Sequence, residues 1–254
     1  MAELVDALGL GSSDLGRGGS SPFTCILHEF ITMKKFLLAA LMLMSSPVLA
    51  DHQKGHIKGW NTNDSMGCMM LRECIDGVKE VFSLLDVSSE YPNTDEFTFV
   101  ANEFNNMLVS LNSVGVKVFL ADSKYFPDTH RGVYHTVSNN FYLNKKYMGR
   151  PGTLMQVMRH EGWHAAQDCM AGTINNSMIA IIKPEEEVPM IWRVMAERTY
   201  PAAAVPWEAE AQWAGRTENM TKDALAACAA GEMWKVYPPT KMTGDWLKQN
   251  GYMD

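Results

Sequence analysis

His160-Glu161-Gly162-Trp163-His164 sets two imidazoles one helical turn apart, with a carboxylate beside the first. Residues i and i+4 of a helix share a face, so both rings can reach one metal ion. Glu161 can then face a water on the same ion and serve as its general base. Two histidines leave such a centre one ligand short, because a catalytic zinc takes three protein ligands and keeps a fourth position open. The missing ligand is sought in Pro206-Trp207-Glu208-Ala209-Glu210-Ala211-Gln212, where Pro206 suits the first turn of a helix. Glu208 and Glu210 would lie about 200° apart around that helix, so only one of them can face the ion. Glu185-Glu186-Glu187 offers rivals, but after Lys183-Pro184 it reads more simply as a solvated loop or helix start.

These residues need elements to hold them. Thr153 with Gln156 matches a capping box and predicts that the motif helix begins there. Gly162 inside a helix costs about 1 kcal/mol relative to alanine, so helix propensity does not account for it. Upstream, Met69, Met70, Ile75, Val78, Val81 and Leu85 recur at helical spacing and predict one amphipathic helix over Ser65 to Leu85, with a second over Phe97 to Leu111. Val116 to Leu120, Gly132 to Val137 and Asn140 to Leu143 read as short strands, with a turn-rich loop over Asp122 to Thr129. Helices, a small sheet, then the motif helix and further helices make a single α+β domain.

His-Glu-x-x-His followed by Glu-x-x-Ala on a later helix resembles the zincin metallopeptidases, specifically the gluzincin group with a glutamate third ligand. Glu208-Ala209-Glu210-Ala211-Gln212 fits that pattern with Glu208 as the zinc ligand beside His160 and His164. Gln212 stands where relatives carry an Asp or Asn that orients a zinc-binding histidine; an amide can still accept a histidine N–H but brings no charge. The resemblance implies a zincin-like fold and hydrolysis of a peptide or protein substrate, with Glu161 as general base. It also implies an edge strand at Asn140 to Leu143 that holds an extended peptide by β-augmentation. Tyr134, His135 and Tyr142 would flank that cleft as candidates to stabilise an oxyanion. The alternative is a secreted, non-catalytic binding or structural protein on the same scaffold.

The N-terminal part reads as processing signals. Met33-Lys34-Lys35, the apolar run Phe36 to Met44 and Ser45 to Ala50 have the three regions of a secretory signal peptide cleaved after Ala50. Its apolar core is too short to span a bilayer, so no stable membrane anchor is expected. Residues 1–32 resemble the mistaken translation of a tRNA gene, and we expect translation to start at Met33. The expected domain is residues 51–254, exported to a periplasm or the outside, with His52 and His56 on a polar tail. A net charge of −7 without a basic stripe argues against nucleic acid and anionic membranes as partners.

Cys68, Cys74, Cys169 and Cys228 are an even set in an exported chain, which favours two disulfides. On one continuous helix Cys68 and Cys74 would stand about 9 Å apart along the axis, too far for a mutual bridge. Each is therefore expected to pair with Cys169 or Cys228.

Overall fold

The computed structural model describes residues 62–175 and 177–254. The expectations for residues 1–32, the export signal at 33–50, and His52 and His56 lie outside the described residues.

Short apolar runs build a four-stranded mixed sheet from β1 (Val78–Glu80), β2 (Lys117–Ala121), β3 (Gly132–His135) and β4 (Asn140–Asn144), in the order β1-β2-β4-β3. β2 and β4 run parallel at the centre, with Val118 beside Phe141 and Leu120 beside Leu143. β1 and β3 flank them antiparallel. Period-two alternation sends Val118, Leu120, Tyr134, Phe141 and Leu143 to one face and Phe119, Val133 and Tyr142 to the other. The helices follow in chain order as α1 (Thr62–Met70), α2 (Leu84–Ser88), α3 (Ala101–Ser113), α4 (Pro151–Met170), α5 (Met190–Thr199), α6 (Val205–Arg216), α7 (Met220–Ala229), α8 (Met233–Val236) and α9 (Lys241–Gln249). α1 covers the Phe119–Tyr142 face, while α4 occupies the other between the sheet and α3, α6 and α7. The α+β architecture is thus a mixed sheet followed by a long central helix and C-terminal helices.

Four expectations are corrected. The segment from Ser65 to Leu85 is not one helix: it stops at Met70, where Arg72 takes φ 61° and the backbone N–H groups of Glu73 and Cys74 both turn back to the Cys68 carbonyl. β1 and α2 follow, and Ile75 and Leu85 are exposed, so the apparent stripe never shared one face. That reversal brings the Cys68 and Cys74 Cα atoms to 5.2 Å, and they pair with each other, leaving Cys169 to pair with Cys228. α4 starts at Pro151, with Arg150 extended at the N-cap, so Thr153 lies inside the first turn. Proline at the first helical position sets the start without a capping box. Lastly, β4 is an interior strand, because β3 turns back beside it and takes the edge. The second helix begins as a 3-10 turn over Thr94–Val100 and continues as α3.

Candidate metal centre

α4 buries almost all of its circumference, including His160, Glu161 and His164. α6 crosses it and brings in Glu208 from its own first turn. Glu208 Oε2 stands 3.4 Å from His160 Nε2 and 3.7 Å from His164 Nε2. One ligand atom from each of the three residues falls within 4.8 Å of the others, the one such group of His, Cys, Asp and Glu among the described residues. Ligands held tetrahedrally at zinc distances of about 2 Å stand about 3.3 Å from one another, so the two carboxylate–imidazole spacings are near a coordination edge. Within the protein, His164 Nε2 and Glu208 Oε2 are both buried without a hydrogen-bond partner. Buried polar atoms in native proteins almost always have one, and a metal ion between them would supply it. The residues fit a metal. Burial works to raise the Glu208 carboxyl, but its nearness to the His164 and His160 imidazoles outweighs that and brings it down to about 2.

Two glycines account for how close the helices come. A Cβ on Gly215 of α6 would lie 3.2 Å from the Gln156 carbonyl and 3.3 Å from His160 Cβ, so this glycine lets α6 lie against the ligand face of α4. A Cβ on Gly162 would meet Thr221 Cγ2 of α7 at 2.9 Å. The helix-weakening glycine in the motif is therefore a packing requirement on the side where α7 crosses. Gly132 does similar service on β3: a Cβ there would lie 3.0 Å from Glu161 Oε1, so the Glu161 carboxylate rests directly on the edge strand.

Glu210, the rival ligand, has a different occupation. Its Oε2 accepts from Trp163 Nε1 at 3.1 Å and Gln167 Nε2 at 2.8 Å, and its Oε1 accepts from the backbone N–H groups of Ile182 at 2.9 Å and Lys183 at 2.6 Å. Burial pushes this carboxyl up to about 7, opposed by the bonds from Gln167, Lys183, Ile182 and Trp163. Glu210 thus ties α4 and α6 to the chain between α4 and α5. Glu185, Glu186 and Glu187 form an exposed 3-10 turn outside the cluster. Gln212 is buried with its Oε1 unpartnered, and the side chain on a ligand histidine is instead Gln167, whose Oε1 lies 2.8 Å from His164 Nδ1. Sequence reasoning missed Gln167, although its i+3 spacing from His164 places both on one helix face.

The oxyanion candidates scatter. Tyr142 lies on the far face of the sheet, stacked on Phe119 and bonded to the Met69 carbonyl. The His135 ring bonds Ser138 Oγ at 2.7 Å near the end of β3. Tyr134 shares the face of α4, but its hydroxyl is taken up by Asp168 Oδ2 at 2.8 Å and Asn139 Oδ1 at 3.0 Å. The hydroxyl donates towards these two acceptors and is not left to face a substrate oxyanion. Burial raises the Asp168 carboxyl to about 8 against the lowering effect of the Tyr134 bond. The folded value lies above the unfolded one, so this group's stabilisation is complete below about pH 4 and is lost as pH rises through about 8. Asp168→Asn keeps the size and removes the titration. We expect wild-type urea midpoints to fall between pH 5 and pH 8.5 by an amount the variant does not show; equal slopes would refute the assignment.

No family model matches the chain, nor does any curated protein or solved structure; what the site can do therefore rests on its own geometry. The two disulfides point to an oxidising, extracytoplasmic compartment, and no helix among the described residues is long and apolar enough to cross a membrane.

Proposed function

We propose that the chain is an exported zinc-dependent metallopeptidase of zincin type, in which His160, His164 and Glu208 hold the metal. The observation that carries this is the buried triad at coordination spacing, built from two crossing helices. Two imidazoles and one carboxylate, with a fourth position left for solvent or substrate, form the donor set of a hydrolytic zinc site. When bound, zinc polarises a carbonyl and makes water acidic enough to attack near neutral pH. Glu161, next to the first histidine, is the group that accepts a proton from that water at its carboxylate and returns it to the leaving amine. Its contact with Gly132 supports a peptide substrate, since an extended chain added to the edge of β3 would lie beside Glu161. The substrate strand thus joins β3 rather than β4. Periplasm or cell exterior fits both the disulfides and the signal-peptide pattern of residues 33–50.

A second reading, a secreted non-catalytic binding protein on a zincin-like scaffold, draws support from burial. Glu208 is 1% exposed and the two histidines 2–3%, so the ion would lie under protein rather than in an open cleft. Zinc analysis of the full chain beside Glu161→Gln, with turnover on a mixed peptide library, separates the two. A peptidase binds one zinc per chain in both proteins, and Glu161→Gln loses on the order of a hundredfold to ten-thousandfold in rate. Zinc in both without hydrolysis in either supports the binding protein, and no zinc in the wild type sinks the peptidase and leaves the non-catalytic reading.

A further inference from the structure

We infer that Gln167 is a positioning residue that locks His164 into the tautomer with a free lone pair at Nε2, the atom facing Glu208; the inference rests on the metal site proposed above. Which end of a glutamine amide is oxygen is settled by its neighbours. Here the Gln167 amide nitrogen has two acceptors, the Trp207 carbonyl at 3.1 Å and Glu210 Oε2 at 2.8 Å. A backbone carbonyl can only accept, so the NH2 end is held on that side and both of its protons are used. Gln167 Oε1 must then face His164 Nδ1, at 2.8 Å. An amide oxygen cannot donate, so a neutral His164 carries its proton on Nδ1 and leaves Nε2 unprotonated. That nitrogen lies 3.7 Å from Glu208 Oε2, on the side where the three ligand atoms converge. Gln167 and His164 are both buried, which excludes water as a competing partner for Nδ1.

The arrangement is anchored beyond the amide. Trp207 is the residue before Glu208, so one Gln167 side chain grips the backbone of the third-ligand helix while orienting the second ligand. Glu210 in turn is fixed by Trp163 and by the Ile182 and Lys183 backbone. The path Glu210–Gln167–His164 therefore ties ring orientation and the α4–α6 crossing to one side chain. Groups that hold a ligand imidazole in this way commonly change metal affinity by about 10- to 100-fold when removed.

The test is a long-range ¹H–¹⁵N spectrum of the metal-free full chain at alkaline pH, with the His164 ring assigned by its loss in His164→Gln. A ring protonated at Nδ1 is the expected result; protonation at Nε2 in the wild type overturns the inference without any further variant. Gln167→Met keeps the volume and removes both polar ends. We expect it to bring an Nε2-protonated population of His164 and to weaken binding of zinc by about 10- to 100-fold. An unchanged tautomer and unchanged zinc affinity in that variant also overturn the inference. A wild-type chain that shows the Nδ1–H tautomer but takes up no zinc supports the positioning and sinks the metal reading, so the two failures are distinguishable.

Discussion

Glu208→Gln is expected to empty the metal site and leave the fold standing, whereas Glu210→Ala should chiefly cost stability. The two carboxylates are two residues apart and both 1% exposed, yet their surroundings are opposite. Glu208 Oε2 has only the two imidazoles, at 3.4 and 3.7 Å, so an amide of the same size disturbs little in the metal-free protein. Its loss as a direct ligand should weaken zinc by more than about 100-fold, since even an indirect partner of a ligand is worth about 10- to 100-fold. Glu210 serves four N–H donors, and truncation to alanine strands them in the interior. Each stranded buried donor costs about 1–3 kcal/mol and the set is not additive, which suggests about 4 kcal/mol in all. For a domain of this size that lowers the melting temperature by roughly 10 °C. Urea unfolding and zinc titration of both variants provide the check. A Glu210→Ala protein of normal stability that has lost its zinc would reverse the ligand assignment.

Removing Cys169–Cys228 should destabilise the protein by about 4 kcal/mol, roughly twice the effect of removing Cys68–Cys74. The chain-entropy argument ties the benefit of a crosslink to the loop it closes in the unfolded chain. The sequence separations are 59 and 6, which correspond to about 4 and about 2 kcal/mol. The larger loop contains α5 and α6 and so encloses Glu208, while its first cysteine lies on α4 beyond His164. Loss of that bridge frees the third-ligand helix as well as the domain, and zinc affinity should fall with stability. Paired alanine substitutions at each bridge, compared by urea midpoint, give the ratio; equal losses would show that native-state effects outweigh loop entropy.

The candidate ligand residues were legible because they obey a local rule. His160 and His164 follow the helical period, Pro206 marks the start of the helix that carries Glu208, and Gly162 stood out as a residue that propensity could not explain. What failed depended on tertiary placement. Strand order could not be read because β3 and β4 are both short apolar runs, and only the pairing shows which one is interior. The cysteine pairing was missed because the spacing argument assumed an unbroken helix, whereas Arg72 enters a left-handed conformation that no residue-type preference announces. The second glutamate looked like a rival ligand until its four donors were in place. All four, Trp163, Gln167, Ile182 and Lys183, are remote from it along the chain, so no local pattern could mark the role.

The corrected disulfides have a consequence for biogenesis. Among Cys68, Cys74, Cys169 and Cys228, each bridge joins a cysteine to the next one along the chain. A polypeptide delivered N-terminus first presents Cys68 and Cys74 together, well before Cys169 emerges, and their short loop can close at once. Of these four, Cys169 then has no unpaired partner until Cys228 arrives, by which time the strand-rich half has been available to fold. Consecutive pairing lets vectorial delivery choose the partners, so a simple thiol oxidant suffices and reshuffling by an isomerase is not required to reach the native connectivity.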